Sequence, residues 1–427
     1  MMSVNDVGAC EFSLPSVWVP LKKYLTLHPK YHEVFKETVN QLLYGVGPMK
    51  ATDRHYVALM AASRHHCHFL MNLHAREFER LGGDLTWLKG IGHAPLKIQS
   101  LDKLNAILAH QPWNTSPGRI AALTKCPPPN NWLLSELVQA VIVLAHTHVL
   151  CSFVLGNDCI DPLENQRKGE WPYNENGWSS ATLTTGGNDE IKSLLLKMRE
   201  LAANNKKNDV IRSSNFANVE EYVINADDDR MNITSDNDSS GQSAVECVDS
   251  QSVPQFTFDN TYAYEDFINH SKPKTVKTLK IHDFSWEDHG YSCVFDLYSE
   301  IADMLDKKFT LTQNLTYFTL GGYSDVDTTK YRTAVWMYIQ CLFGIRHDDY
   351  DYAEVNLMLS REMKTFLKTV CCFPNKVTSA MRKSFMPGFE PSEKVHVLLM
   401  IMEARLQAEL IYFFRAFLEL NTALSCS

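Results

Sequence analysis

The sequence predicts an all-α protein with two helical domains joined by a disordered acidic linker. Three observations favour this fold class: the length, the helical spacing of apolar residues and one acidic stretch of low complexity. The chain has 427 residues, which is long for one ordinary hydrophobic core. Apolar residues make up 45% of the chain and charged residues 21%, as in globular proteins. Strand patterns are weak throughout.

The N-terminal domain is expected over residues 8–205. Asp53 can cap its first long helix, and Gly82 with Gly83 should end that helix after Leu81. A last amphipathic helix should pack back onto this domain. Helical stretches are expected at 53–81, 98–110, 132–155 and 191–203.

The stretch LVQAVIVLAHTHVLCSFVL, residues 137–155, is apolar enough to imitate a membrane span. It carries no formal charge, but Gln139, His146, Thr147 and His148 interrupt it. A helix buried in a protein core is therefore the favoured interpretation, and no membrane span is expected.

The linker is expected over residues 206–254. Between Asn225 and Pro254 it holds six Asp, one Glu and one Arg, with almost no large apolar residues. Such a stretch cannot bury enough surface to offset its ordering entropy. An acidic docking segment is the alternative.

The C-terminal domain is expected over residues 255–427. Its last helix is long and apolar on several faces, which predicts a central core helix. Helical stretches are expected at 293–307, 328–346, 351–369 and 392–420.

Charge and cysteine usage narrow the class of protein. The net charge of −9 argues against a general nucleic-acid binder, because no basic field is available to displace counterions. The eleven cysteines include no CxxC pair, which favours reduced thiols in a cytosolic or nuclear compartment. The first sixteen residues show no signal-peptide pattern. No cofactor is expected.

Cys67 stands among histidines in ASRHHCHFLMNLH, residues 62–74. A metal site is not expected, because Cys67 has no histidine at i±4 and no second cysteine nearby. His65, His66 and His68 are better interpreted as structural histidines. A redox thiol is the second possibility, since Arg64 at i−3 would place a cation near the sulfur in a helix. An ordinary buried cysteine is the third, and sequence chemistry alone favours it.

Four blocks give the chain a specific resemblance. RHYVALMAASRHHCHFLMNLH, WEDHGYS, FGIRHDDYDY and SEKVHVLLMIMEARLQAEL, in this order, resemble the sestrin family. Sestrins are stress-inducible proteins that restrain TOR complex 1 by binding the GATOR complexes, and some of them sense leucine. The resemblance implies that both helical halves share an alkylhydroperoxidase-D-like fold. It also implies peroxide reductase activity in the N-terminal half.

The resemblance assigns catalytic roles to Cys67 and His74. His74 lies at i+7, about 10 Å along a straight helix, so direct contact would need a helix break or a bridging water. The family places the cysteine at the start of a second helix, with the break near 63–66. This sequence departs from the family patterns at Leu70, where the CxxC motif has its second cysteine, and at Phe69, where sestrins usually have tyrosine.

The resemblance also implies a leucine pocket in the C-terminal domain. An amino-acid receptor needs a cation, an anion and an apolar hole. By the resemblance Arg332 holds the carboxylate and Glu393 the ammonium. By the same resemblance the pocket is covered by three threonines, Thr316, Thr319 and Thr328. Its apolar wall includes Tyr331 and Met386, which stand where the leucine-sensing members have leucine and tryptophan. Helix capping by Glu393 and Thr328, and a solvated Arg332, are the alternatives.

The loop HDDYDY, residues 347–352, gathers three acids around two tyrosines. By the resemblance Asp348, Asp349 and Tyr350 contact GATOR subunits, whereas a solvated loop that caps the next helix is the alternative.

The leading prediction is thus a stress- and leucine-responsive negative regulator of TOR complex 1. A cysteine-dependent alkyl hydroperoxide reductase, or an all-helical scaffold with neither activity, are the other possibilities.

Overall fold

The computed structural model describes residues 18–159, 185–205, 255–267, 278–315 and 318–425. Nearly all regular structure in these residues is helical, which confirms the predicted all-α class. The predicted linker, 206–254, lies outside the described residues.

The described part of the N-terminal half holds nine α-helices. They are α1 (Val19–Leu25), α2 (Pro29–Val39), α3 (Ala51–Arg64), α4 (His68–Arg80), α5 (Leu96–Gln99), α6 (Asp102–His110), α7 (Pro117–Thr124), α8 (Leu134–Gly156) and α9 (Thr185–Asn205). Short π and 3-10 turns lie at Asn40–Tyr44, Leu85–Lys89, Ile91–His93 and Pro112–Asn114.

The helix expected across Cys67 is divided into α3 and α4. His66 has φ 50°, in the left-handed region, and its amide donates to the Ser63 carbonyl while the Cys67 amide donates to the Ala62 carbonyl. These two bonds form a Schellman motif, in which a histidine occupies the position usually held by glycine. α4 ends in the same motif at Gly82, as the sequence predicted. Helical spacing alone missed the break, and the family resemblance anticipated it.

The described part of the C-terminal half adds six helices and four very short strands. They are β1 (Leu279–Lys280), α10 (Tyr291–Asn314), β2 (Thr319–Leu320), β3 (Tyr323–Ser324), α11 (Thr329–Leu342), β4 (Ile345–Arg346), α12 (Ala353–Met358), α13 (Arg361–Cys372), α14 (Ser379–Ser384) and α15 (Pro391–Ser425). A π turn lies at Trp286–Gly290 and a 3-10 turn at Pro374–Lys376.

The strands form two small pairs. β1 runs parallel to β4, with Leu279 opposite Ile345, and β2 with β3 forms an antiparallel hairpin. Gly321 and Gly322 connect that hairpin with φ of 55° and 86°, the two positive values that a two-residue type I′ turn requires. The helix expected at 351–369 is divided because Ser360 caps α13, accepting a hydrogen bond from the Met363 amide.

Helices α8 and α15 form the centre of the molecule. α8 is long and apolar enough to cross a membrane, because its most apolar stretch has a mean hydropathy of 1.9. That stretch is nevertheless wholly buried inside the protein. This confirms the core-helix interpretation of residues 137–155. α15 is buried on every side over most of its length, as predicted for the last helix.

Both halves contribute to one continuous hydrophobic core. α8 packs along α15, and α2 packs against α10. A buried ion pair reinforces the second contact: Lys308 Nζ lies 2.9 Å from Glu403 Oε1, which also accepts a hydrogen bond from the Tyr31 hydroxyl. The segment 255–267 lies on the N-terminal half, where the Ile91 amide donates to the Gln255 carbonyl at 2.8 Å. The halves are therefore joined by extensive burial.

Candidate functional site

Cys67 is the N-cap residue of α4 and is fully buried. The Schellman turn ahead of it directs the chain into a new helix, whose free amide groups and dipole favour negative charge at this end. The helix start that the resemblance implied for Cys67 is therefore where the sulfur lies.

A second thiol lies near Cys67. Cys151 is fully buried on α8, and burial raises the pKa of its thiol, with a smaller rise caused by Cys67. Cys159 lies just beyond α8 and is partly exposed. Burial raises the pKa of its thiol, and the charge of Cys67 raises it further. Sequence spacing gave no sign of this cluster, because 84 residues separate Cys67 from Cys151.

The cation near these thiols is Arg405, on α15. Its charge partly offsets the effect of burial on the pKa of Cys151. Arg64, the predicted cation, instead donates to the Thr257 hydroxyl at 3.0 Å and to the carbonyls of Asp259 and Tyr262. Arg64 thus anchors the segment 255–267 on the N-terminal half. The sequence prediction that it assists the sulfur has no support in these contacts.

His74 is not brought to Cys67. The break lies ahead of Cys67, so seven residues of one continuous helix still separate the two, about 10 Å along its axis. His74 Nδ1 lies 3.1 Å from His55 Nδ1, and burial lowers the pKa of His74 well below its usual value. A role in proton transfer at Cys67 would therefore require a relay.

A buried polar network surrounds the thiols. Arg405 Nε lies 2.9 Å from Glu409 Oε1, and Arg405 Nη2 lies 3.0 Å from His65 Nε2. His148 Nδ1 lies 2.8 Å from Glu409 Oε2, and its Nε2 lies 2.8 Å from Asn105 Oδ1. Burial raises the pKa of Glu409 to about 8, against the effect of Arg405. Within the described residues no group of three or more His, Cys, Asp or Glu is arranged to hold a metal ion.

Glu393 lies in the first turn of α15 and is 6% exposed. Its Oε2 accepts from the Glu390 amide at 2.8 Å, which is the glutamate half of a capping box. Its Oε1 accepts from the Gly321 amide at 3.0 Å, and Thr319 donates to the same carboxylate. Burial raises the pKa of Glu393. The carboxylate therefore caps its helix and also fastens the β2–β3 hairpin.

Arg332 lies on α11 and is 7% exposed. Its Nε donates to the Thr328 hydroxyl at 3.1 Å, and its Nη2 donates to the Thr329 hydroxyl at 3.0 Å. Its Nη1 donates to the Gln313 carbonyl. Thr328 occupies the N-cap position of α11 as the alternative reading proposed, but its hydroxyl holds Arg332 instead of capping the helix.

Neither buried charge forms a close ion pair, although the Asp327 carboxylate favours the charged form of Arg332 from a greater distance. Among the residues that the structure describes, no ion pair within 4 Å joins Glu393 or Arg332 to an opposite charge. Their neighbours are amides, hydroxyls and a carbonyl, which solvate a charge only in part. Thr316, the remaining predicted threonine, lies outside the described residues.

The two wall residues meet in a neighbouring cavity. The Tyr331 hydroxyl lies 3.9 Å from Met386 Sδ and 4.0 Å from Met363 Sδ. Met386 has φ 48°, a left-handed conformation that is uncommon for such a side chain. The cavity measures about 610 Å³, and its apolar lining includes Tyr331, Met358, Met363, Phe366, Met386 and Phe389. Arg332 and Glu393 are not among the residues that line it.

The acidic loop lies between β4 and α12. Asp348 forms an ion pair with Lys280 at 3.5 Å and contacts the His282 ring, while Asp349 is exposed. The Tyr350 ring packs edge-on against Tyr352 at 5.2 Å, and burial raises the pKa of Tyr350. Capping of α12 is done by Asp351, whose Oδ1 accepts from the Ala353 amide at 2.9 Å. Asp348 and Asp349 are thus not needed for the cap.

A hydrogen-bonded chain connects this loop to α15. His347 Nε2 lies 2.5 Å from Gln340 Oε1, and Gln340 Nε2 donates to Gln407 Oε1 at 2.6 Å. Sequence reasoning missed Gln407, Arg405 and Glu409. The sequence could have indicated them, because they are polar residues in a helix predicted to be a central core helix. Buried polar side chains need hydrogen-bond partners.

Comparison with known proteins agrees with this architecture. Residues 15–421 match the family model described as PA26 p53-induced protein (sestrin). Sestrin-1 of Macaca fascicularis is 39% identical, with 92% of this chain and 81% of the relative covered. The Sestrin homolog of Drosophila melanogaster is 35% identical, with coverage of 98% and 96%. Sestrin-2 of Homo sapiens is 36% identical, with coverage of 91% and 81%. This chain belongs to the sestrin family.

Proposed function

We propose that this protein is a stress- and leucine-responsive negative regulator of TOR complex 1 signalling, which acts by binding GATOR complexes in the cytosol or nucleus. The observation that carries the proposal is the pair of buried charges without a close ion-pair partner, Glu393 and Arg332. Burial of a charge without a counter-ion is costly, so such groups are typical of a binding site. Free leucine would supply an ammonium for Glu393 and a carboxylate for Arg332.

The β2–β3 hairpin supports a site that opens and closes. Its only strands are two residues long, and its turn is held to α15 through the Gly321 amide and Glu393. An ammonium would compete for the same carboxylate oxygens. Arrival of the ligand would therefore change how firmly the hairpin is fastened, and the hairpin would exclude water from the charged contacts.

Helix α11 provides a route from this site to the acidic loop. Arg332 lies in its first turn, and its last residue, Leu342, lies just ahead of β4 and the loop with Asp348 and Asp349. The helix spans 14 residues, or about 21 Å at 1.5 Å per residue. A shift of Arg332 on binding leucine would be transmitted along this rigid element to the proposed partner surface.

Co-precipitation of GATOR subunits with the purified protein tests the proposal. We expect association without leucine and release when leucine is added. Asp348→Ala with Asp349→Ala should abolish the association, whereas Asp351→Ser, which keeps a capping hydroxyl in the same loop, should retain it. Association that is unaffected by the double substitution and by leucine would contradict the proposal.

A second candidate function, peroxide reduction, is favoured by the position of Cys67 at the N-terminus of α4. Cys67 would attack the O–O bond and become a sulfenic acid. Consumption of tert-butyl hydroperoxide by the wild type, and its loss in Cys67→Ser, would support this activity. Equal consumption by both proteins would exclude it.

A further inference from the structure

We propose that the cavity beside Tyr331 is a ligand site of its own, which takes a neutral, flexible aliphatic molecule carrying one carbonyl oxygen. The inference goes beyond the proposed amino-acid site, because Arg332 and Glu393 are not among the residues that line this cavity. Binding here therefore does not depend on the charged pair.

The cavity is open to solvent on one side and apolar at its floor. Exposed polar residues of α9 and α13 form its mouth: Glu190, Ser193, Lys197 and Glu362. Buried apolar side chains form its floor: Leu194, Met358, Met363, Phe366, Phe385 and Met386. The volume of about 610 Å³ is typical of a small-molecule site. A ligand can therefore enter through the mouth and bury an apolar chain against the floor.

Helix α9 forms one side of the cavity. It packs against α12 and the β2–β3 hairpin, where a Cβ on Gly321 would lie 2.2 Å from Ile191 Cδ1. The α9 residues that line the cavity are Glu190, Ser193, Leu194 and Lys197, spaced i, i+3, i+4 and i+7. This spacing places them on one face of the helix, so α9 borders the cavity over two turns.

Methionines and aromatic rings determine the shape that the floor accepts. Met358, Met363 and Met386 have unbranched side chains with polarizable sulfurs, which adapt to irregular apolar shapes. The rings of Phe366 and Phe385 stack with their centroids 3.9 Å apart and form a flat apolar surface. Such a floor fits a flexible aliphatic chain.

The Tyr331 hydroxyl supplies an independent argument for a ligand oxygen. Tyr331 is 6% exposed, and the partners that the described residues give its hydroxyl are Met386 Sδ at 3.9 Å and Met363 Sδ at 4.0 Å. A thioether sulfur is only a weak acceptor, whereas buried donors normally find a good one. Burial raises the pKa of Tyr331, so the hydroxyl keeps its proton and can donate it. A carbonyl oxygen in the cavity would supply the acceptor.

The charges around the mouth argue for a neutral ligand. Two acids and two bases line the cavity, so their formal charges balance: Glu190, Glu362, Lys197 and Arg361. Neither sign of head group is favoured there. A charged group beside Tyr331 would lose its hydration among apolar side chains, which is costly. A carbonyl satisfies the hydroxyl without burying a charge.

Binding of 2-octanone to the full-length protein, followed by saturation-transfer NMR, tests the inference. The wild type should bind, and Tyr331→Phe should bind about two- to tenfold more weakly, because one ordinary hydrogen bond is lost. Ser193→Trp should fill the cavity and abolish binding. Leu196→Trp is the control, because Leu196 is exposed on the same helix and does not line the cavity. Thermal melting confirms that each variant is folded.

Three results would overturn the inference. The first is the absence of binding by the wild type up to the solubility limit of 2-octanone. The second is an equal dissociation constant for wild type and Tyr331→Phe, which would exclude the carbonyl contact. The third is displacement of 2-octanone by leucine, which would make the cavity part of the amino-acid site. Failure of leucine to bind, with 2-octanone still bound, would count against the proposed function and leave this inference standing.

Discussion

Arg405 Nη2, near the middle of α15, lies 3.0 Å from His65 Nε2, at the C-terminal end of α3. The same guanidinium donates to the Ser152 hydroxyl at 3.0 Å, the Cys371 carbonyl at 2.7 Å and the Ala109 carbonyl at 2.9 Å. One side chain therefore ties helices of the N-terminal half to two helices of the C-terminal half. The thiols, the polar network and the shared core meet at this point.

Replacement of Arg405 should destabilise the whole molecule. Arg405→Met leaves Glu409 buried with one partner fewer, and loss of one member of a buried pair costs about 3–5 kcal/mol. We expect a fall of that size in the free energy of unfolding, measured by urea denaturation. Arg415→Met is the control, because Arg415 is on the same helix, lies 3.8 Å from the half-exposed Glu419 and should contribute less than about 1 kcal/mol. Equal losses in the free energy of unfolding for the two variants would show that the buried network adds no more stability than a surface ion pair.

Acid should destabilise the protein from near neutral pH. Burial lowers the pKa of a set of histidines in the folded protein. Near pH 6.5 these histidines therefore bind protons in the unfolded chain but stay neutral in the native protein. Stability is then full above pH 6.5 and is lost as pH falls below it, by up to about 1.4 kcal/mol per pH unit for each group. These histidines are His28, His55, His65, His74, His110, His146, His148 and His396.

Glu409 acts in the opposite direction. Its pKa is about 8 in the folded protein and 4.5 in the reference state, so its contribution is lost as pH rises through that interval. The histidines outnumber it, and the net free energy of unfolding should decline from pH 7 to pH 5. Urea titrations across that range measure the slope. A flat or rising curve would contradict the buried neutral histidines.

Two adjacent glycines give a matched test of the hairpin. A Cβ on Gly321 would lie 2.2 Å from Ile191 Cδ1 of α9, whereas a Cβ on Gly322 would meet nothing within 4 Å. Both residues have positive φ, so alanine strains the backbone similarly at each. We expect Gly321→Ala to speed hydrogen exchange in the hairpin and α9 well beyond Gly322→Ala. Identical exchange in the two variants would mean that the hairpin does not pack on α9.

Cleavage in the linker should not separate the halves. The sequence predicts that protease acts first between 225 and 254, and the shared core of α8 and α15 predicts that the two fragments stay together. Size-exclusion chromatography of the nicked protein should show one species of unchanged size. Separate elution of two folded fragments would contradict the shared core.

Much of the fold could be predicted from the sequence, because some structural features are determined by residues close together in the chain. The apolar spacing within 137–155 and 392–420 predicts the core helices α8 and α15. Gly82 predicts the end of α4. The break at His66 does not follow from helical spacing, since histidine adopts positive φ only where its surroundings hold it. Cys151 and Arg405 could not be placed beside Cys67 either, because tertiary packing over 84 and 338 residues brings them there. The assignment of Glu393 and Arg332 relied on resemblance, and their roles stay a prediction.

Calorimetry of leucine binding tests the central claim most directly. The wild type should bind, and Arg332→Ala or Glu393→Ala should weaken binding by about tenfold to a hundredfold, because a charge-assisted hydrogen bond contributes about 1.5–3 kcal/mol. Thr328→Ala should lose less, since its hydroxyl is neutral. Lys330→Ala is the control, because Lys330 pairs outward with Glu354 at 2.7 Å. If the wild type shows no heat of binding with leucine, methionine or isoleucine at millimolar concentration, the proposed amino-acid site does not exist.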